Sequence, residues 1–174
     1  MSYDKKYSRL TNGNLFVDGN NMYAKVEEIT NPEVKASMSD HKVLGGIGKI
    51  ELPNGYDKME ASFKLNGPLD EIAAMSANVK SSHEVIFRGS VEGFSGQDIV
   101  SERPYVCIWR GTFKNSPGGA QKQHENVELM YTMNITYYKL MINGVSLVEI
   151  DIVNNILKVN GVDLLAKYRA NLGL

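Results

Sequence analysis

Cysteine is nearly absent from this chain: Cys107 is the only one in 174 residues. No intrachain disulfide can form and no cysteine cluster can hold zinc. Inside the run Val106-Cys107-Ile108-Trp109 a single thiol reads as a small buried hydrophobe. Neither charge is in excess, since 19 Lys and Arg stand against 20 Asp and Glu for a formal net charge of −1. That is far from the basic surplus on which sequence-independent nucleic-acid binding depends. The longest apolar runs are a few residues, short of the roughly 18 or more needed to cross a bilayer. The opening Met1 to Leu10 is polar rather than signal-like, so synthesis in the cytoplasm without a membrane anchor is the expectation.

Catalytic constellations are missing as well. His41, His83 and His124 are scattered, with no His-x-x-x-His or His-x-x-Glu-His frame, so they read as surface or loop residues and no metal is expected. Glu149 and Asp151 share a strand face about 6.6 Å apart. The alternation exposes them, and they read as solvated or structural carboxylates. Leu44-Gly45-Gly46-Ile47-Gly48-Lys49 lacks the frame of a phosphate-binding loop, so no nucleotide cofactor is expected. Tyr131, Tyr137 and Tyr138 have only Lys139 interleaved among them, which suits packing or subunit contact better than base stacking. No catalytic residue, metal site or cofactor site is assigned.

What is present is a period of two. With 43% hydrophobic and 22% charged residues, residues 1–174 suit one domain around one core. From Lys58 to Leu65, Met59, Ala61, Phe63 and Leu65 share one face and Lys58, Glu60, Ser62 and Lys64 the other. Pro32 to Ser39 alternates in the same way, with Val34, Ala36 and Met38 opposite Glu33, Lys35 and Ser37. Further strands read at 14–17, 23–29, 84–94, 105–114, 127–142 and 145–152. Turn signals separate them at Asp18-Gly19, Ser116-Pro117-Gly118-Gly119 and Asn143-Gly144. Two helices are expected, at Pro68 to Val79 and at Val162 to Asn171, the second with Asp163 as a cap. The class is mainly β, an antiparallel β-sandwich or barrel with one flanking helix and a short C-terminal helix.

Two features point beyond a single small domain. Residues 40–56 carry Gly45, Gly46, Gly48 and Gly55 with little core-forming pattern, a length and composition typical of functional or mobile loops. From Val127 to Ile142 both strand faces are partly apolar, which suggests burial against another subunit.

Residues 137–174 then supply a resemblance. Tyr137-Tyr138-Lys139-Leu140, Asn143-Gly144, Glu149-Ile150-Asp151-Ile152-Val153-Asn154, Val159-Asn160-Gly161-Val162-Asp163 and Asn171-Leu172-Gly173-Leu174 closely resemble the C-terminal signature of the major tail tube proteins of P2-like contractile-tailed phages and R-type bacteriocins. Weaker agreement runs in the same order through Asn14-Leu15-Phe16-Val17-Asp18-Gly19, Met59-Glu60-Ala61-Ser62-Phe63, Phe87-Arg88-Gly89-Ser90 and Arg110-Gly111. A departure falls at Ile29-Thr30-Asn31-Pro32-Glu33, where the family more often has a Leu-Pro-Lys-like run.

The resemblance implies a mechanical protein of the virion tail: subunits join into a closed hexameric β-barrel ring, and rings stack into a hollow tube inside a contractile sheath. Implied partners are further copies of the chain, the sheath protein, baseplate and tail terminator proteins, and the tape measure protein and DNA in the lumen. On that reading the polar halves of the two best alternations, Glu33, Lys35, Ser37, Lys58, Glu60, Ser62 and Lys64, are expected to line the lumen. Residues 40–56, through Val43, Leu44, Ile47, Ile50 and Leu52, are expected to form an inter-subunit arm. Residues 159–174 are expected to dock on their own sheet or a neighbour, with Lys167 and Arg169 facing a sheath. The rival readings are a tube of a related injection system and a monomeric ligand-binding β-barrel.

Overall fold

The computed structural model describes residues 6–42, 44, 45 and 47–174. In chain order its elements are β1 (Lys6–Val17), β2 (Asn20–Asn21), β3 (Val26–Thr30), β4 (Ala36–Lys42), β5 (Lys49–Tyr56), β6 (Met59–Leu65) and α1 (Asp70–Ala77). They continue with β7 (His83–Ser95), β8 (Asp98–Phe113), β9 (Leu129–Ile142), β10 (Val145–Asp151), β11 (Ile156–Val159), β12 (Val162–Asp163) and α2 (Ala166–Asn171). Asp18-Gly19 and Asn143-Gly144 turn the chain with positive φ at both positions, as two-residue hairpins require. Asn160-Gly161 has the same geometry and joins β11 to β12.

Ten strands form one antiparallel sheet in the order β12-β11-β10-β9-β8-β7-β1-β2, with β6 also on β9 and β3 on β6. The branch lies within β9. Its residues Leu129–Ile135 pair with β6 and Tyr137–Ile142 pair with β10, while β8 runs along its other edge. Thr136 sits between the two sets, and its carbonyl accepts the Ile152 amide at 3.0 Å.

The β6 alternation translates residue for residue: Met59, Ala61, Phe63 and Leu65 are buried and Glu60, Ser62 and Lys64 half-buried on the other face. Phe63 stacks on Tyr131 with centroids 5.4 Å apart and meets Phe113 edge-on at 6.2 Å. Trp109, Leu15, Met133 and Ile72 of α1 complete the same core. Cys107 is fully buried within it, and that burial pushes its thiol up to about 12.

Five expectations need correction. Residues 32–35 form no strand, and Ala36 and Met38 are exposed. The reason is that β4 pairs only with β5, in a separate two-stranded sheet with no core beneath it. Residues 40–56 are accordingly not a featureless arm but most of a hairpin.

The mixed apolarity of 127–142 also has a different cause. Leu129, Tyr131, Met133 and Ile135 face the core, and the phase then slips at Thr136, so that Tyr138 and Leu140 face it too. Opposite, β8 has a register irregularity between Arg110 and Gly111. Two phases on one strand look like two apolar faces in sequence.

The second helix begins at Ala166, because Val162 and Asp163 are paired with Val159 and Lys158. Asp163 accepts the Leu165 amide at 3.0 Å just before the helix. Finally, the barrel does not close within one chain. β1 and β3 border one cleft lined by Leu10, Gly13, Val26 and Ile29 without pairing among the described residues.

Candidate functional site

Polar residues of the two alternations do come together. Glu33, Lys35, Lys58 and Glu60, joined by Asp57, line one charged cleft where the hairpin leaves the core. Lys35 pairs with Asp57 at 3.9 Å, and Glu60 receives both Lys58 and Lys114 at 2.8 Å. Ser62 and Lys64 continue the same face of β6, Lys64 between Glu128 at 2.7 Å and Glu27 at 3.2 Å. Ser37 lies apart from them on β4. The face is strongly charged and almost wholly self-paired, so its field at a distance is weak.

Hydrogen bonds from Lys114 and then Lys58 hold the Glu60 carboxyl at about 2, against an ordinary 4.5. A carboxyl whose folded pKa is depressed favours folding while it is ionised. Its contribution is complete above pH 4.5 and disappears as pH falls through 2. In urea titrations Glu60→Gln should therefore be less stable than the parent at pH 7, with the two curves converging as pH drops from 4.5 toward 2. A constant gap across that window would contradict the pairing.

The hairpin offers the second surface. Ile50 and Leu52 alternate with Lys49 and Glu51 along β5, and Leu44 and Ile47 at its end are fully exposed. Val43, expected to belong to the arm, lies outside the described residues.

A third surface is a ribbon in which the N-terminal part of β1, the C-terminal part of β7 and the start of β8 run past the core. Residues 6–12 and 98–104 are exposed throughout. Sequence reasoning missed both stretches because a ribbon wet on both sides has no alternation to read. Tyr7 stacks on Phe94 with centroids 5.2 Å apart, Arg9 lies over the same ring at 5.4 Å, and the Tyr7 hydroxyl donates to the Gly96 carbonyl. Among the described residues the ribbon has two unpaired edges on opposite sides. Tyr7–Leu10 has β7 alone as a strand neighbour, and Asp98–Arg103 likewise, since β9 begins pairing at Tyr105. Pro104 falls where β9 stops, a position at which proline is tolerated.

The C-terminal segment docks only in part. Leu165 packs on the core, but Leu164, Tyr168, Leu172 and Leu174 are all more than half exposed. Lys167 is exposed. Arg169 is committed within the subunit: its guanidinium meets Asp163 at 2.5 Å and donates to the Asn155 carbonyl at 2.8 Å.

Glu149 has a structural role, accepting from the Tyr137 hydroxyl at 3.2 Å with Lys139 and Lys158 at 3.6 and 3.7 Å. Tyr137 lies under Arg110, 4.9 Å from ring centroid to guanidinium, and Arg110 meets Glu84 at 2.6 Å. His83 departs from the expected surface position. It is buried, with Nδ1 2.6 Å from Asp18, and closes the β1–β2 turn. Among the described residues no cluster of potential metal ligands occurs.

Comparison with known proteins gives a consistent result. The profile of the phage tail tube protein FII family matches residues 7–173. The tail tube protein of Escherichia phage P2 is 29% identical over 166 residues, covering 92% of this chain and 94% of the relative. The major tail tube protein of Serratia phage KSP20 is 26% identical, covering 94% and 92%. Two solved structures of an extracellular contractile injection system share the fold. Its sheath-tube complex aligns with a TM-score of 0.52 at 5% identity over 74% of this chain and 87% of the other. Its sheath/tube terminator aligns with a TM-score of 0.51 at 6% identity over 74% and 92%.

Proposed function

Because the chain belongs to the phage tail tube protein FII family, we propose that it works as a subunit of the tube within a contractile tail, by joining in rings of six that stack into a hollow conduit. The role is mechanical and needs no reaction. The observation that carries the ring is the pair of free edges on the ribbon. An unpaired strand edge is a template for another strand. Because Tyr7–Leu10 and Asp98–Arg103 lie on opposite sides of the same three strands, each copy can take one neighbour on either side. Such a contact joins two different surfaces, so it closes into a ring when the rotation allows. Pairing around the ring then gives a closed barrel that no single chain makes.

The hairpin, with Leu44, Ile47, Ile50 and Leu52, is the inter-subunit arm of this reading. The face bearing Glu33, Lys35, Ser37, Lys58, Glu60, Ser62 and Lys64 lines the lumen, where self-paired charge leaves little net attraction for DNA or a tape measure protein. Sheath subunits surround the tube, with Lys167 and, beside it, the Asp163-paired Arg169 toward them, and baseplate and terminator proteins meet its two ends.

Cysteines placed at Ser37 and Ser62 test the lumen. Both should react with a bulky maleimide in free subunits and be shielded several-fold in intact tubes, while Cys107, buried, stays silent in both. Equal labelling of the two states would reject the assignment.

A further inference from the structure

An apolar cleft lies at the root of the hairpin. Its walls include Tyr56 at the end of β5, Ile150 and Asp151 of β10, Ile156 of β11, Leu165, and Tyr168 of α2, and it encloses about 360 Å³. That is more than twice the ~150 Å³ that accommodates one benzene in an apolar protein cavity, so two aliphatic side chains fit. Asp151 is the sole charged residue among the lining residues. Its carboxylate is fixed by the Asn154 amide and side chain at 3.0 and 2.7 Å.

The hairpin's other end is complementary. Leu44 and Ile47 are fully exposed among the described residues, and Lys42 and Lys49 face each other directly behind them in the last register pair. Lys49 is engaged by Asp40 at 2.9 Å, so the tip offers two aliphatic side chains backed by Lys42, and the cleft offers apolar walls with one carboxylate. A seven-residue strand such as β4, at about 3.4 Å per residue, sets the tip about 24 Å from the root. A paired hairpin cannot fold its tip back into its own root.

We propose that the tip of one copy seats in the root cleft of the next, with Leu44 and Ile47 against Ile156, Leu165 and Tyr168 and Lys42 toward Asp151. Knob and seat are different surfaces at opposite ends of one element, so the contact is heterologous, and with a rotation that does not close it repeats along an open stack. It supplies the direction in which rings stack. Filling the cleft covers Tyr168, about half exposed in the single subunit. This seat rests on the reading of the hairpin as an inter-subunit arm.

A chain carrying both Ile47→Cys and Tyr168→Cys tests it directly. After assembly and mild oxidation, a non-reducing gel should show a ladder of covalent oligomers, and either single variant should show none. Tubes without a ladder overturn the seat. They leave the arm reading intact if replacement of the hairpin tip still prevents assembly, and overturn both readings if it does not. Tyr168→Glu gives a second measurement on a side chain that the subunit core does not use. Tube yield should fall by roughly tenfold or more, since a carboxylate would be desolvated against apolar walls, with the subunit melting temperature unchanged. Normal tube yield from this variant also overturns the seat.

Discussion

Replacing residues 43–51 with a short Gly-Ser linker should abolish tube formation and leave a folded, soluble subunit. The strands flanking this segment, β4 and β5, pair only with each other, and none of its described residues belongs to the core. Its removal therefore takes nothing from the packing around Phe63 and Trp109. What it takes is Leu44, Ile47 and Ile50, three large aliphatic side chains held in water by the isolated subunit. Burying each on assembly contributes about 1.5–3 kcal/mol. Repeated for every subunit, that contribution decides whether the polymer exists. Sedimentation and electron microscopy should find no tubes, and thermal unfolding should give a subunit within a few degrees of the parent. Undiminished tube yield would remove the hairpin from the assembly, and a collapsed melting temperature would make it part of the fold.

Gly111→Ala should be the most damaging single methyl in the chain. A Cβ at this position would stand 1.9 Å from the Asn134 carbonyl oxygen and 3.0 Å from the Ile135 Cα, and all the nearest atoms are backbone. No rotamer change can relieve such a contact, so β8 and β9 must move apart. They are joined here at the irregularity between Arg110 and Gly111, beside the point where β9 exchanges β6 for β10. Overpacking costs typically 1–3 kcal/mol and occasionally more. An immovable backbone neighbour puts this site at about 3 kcal/mol or above, read as a lowered urea midpoint with unchanged slope. A loss below about 0.5 kcal/mol, the ordinary range for a neutral surface change, would show that the two strands are not held together as described.

The contrast between β6 and β4 shows what the sequence makes legible. Both alternate cleanly, yet only Met59, Ala61, Phe63 and Leu65 are buried, while Ala36 and Met38 are exposed. Period two encodes a strand with one apolar face, and it does not say whether the partner of that face belongs to the same chain. For β6 the partner is the core. For β4 none occurs among the described residues.

The strand β9 fails in the opposite direction. Its apparent second apolar face came from a change of phase at Thr136, which a single-period reading cannot detect. The exposed ribbon, residues 6–12 and 98–104, was invisible because both its faces are wet. His83 was misplaced because its partner Asp18 is distant in sequence, and no local pattern announced that Asp163 and the Asn155 carbonyl hold Arg169. The charged cleft was legible in composition but not in pairing. Lys114, which with Lys58 holds Glu60, lies just past the end of β8, and no local spacing connects it to β6.

Cryo-electron microscopy of the purified chain, concentrated and allowed to polymerise, tests the central claim most directly. The predicted result is hollow tubes whose end views show six subunits, with strand density passing without a break from the Asp98–Arg103 edge of one copy to the Tyr7–Leu10 edge of the next. A species that remains monomeric at high concentration, or a filament with no lumen, would contradict it.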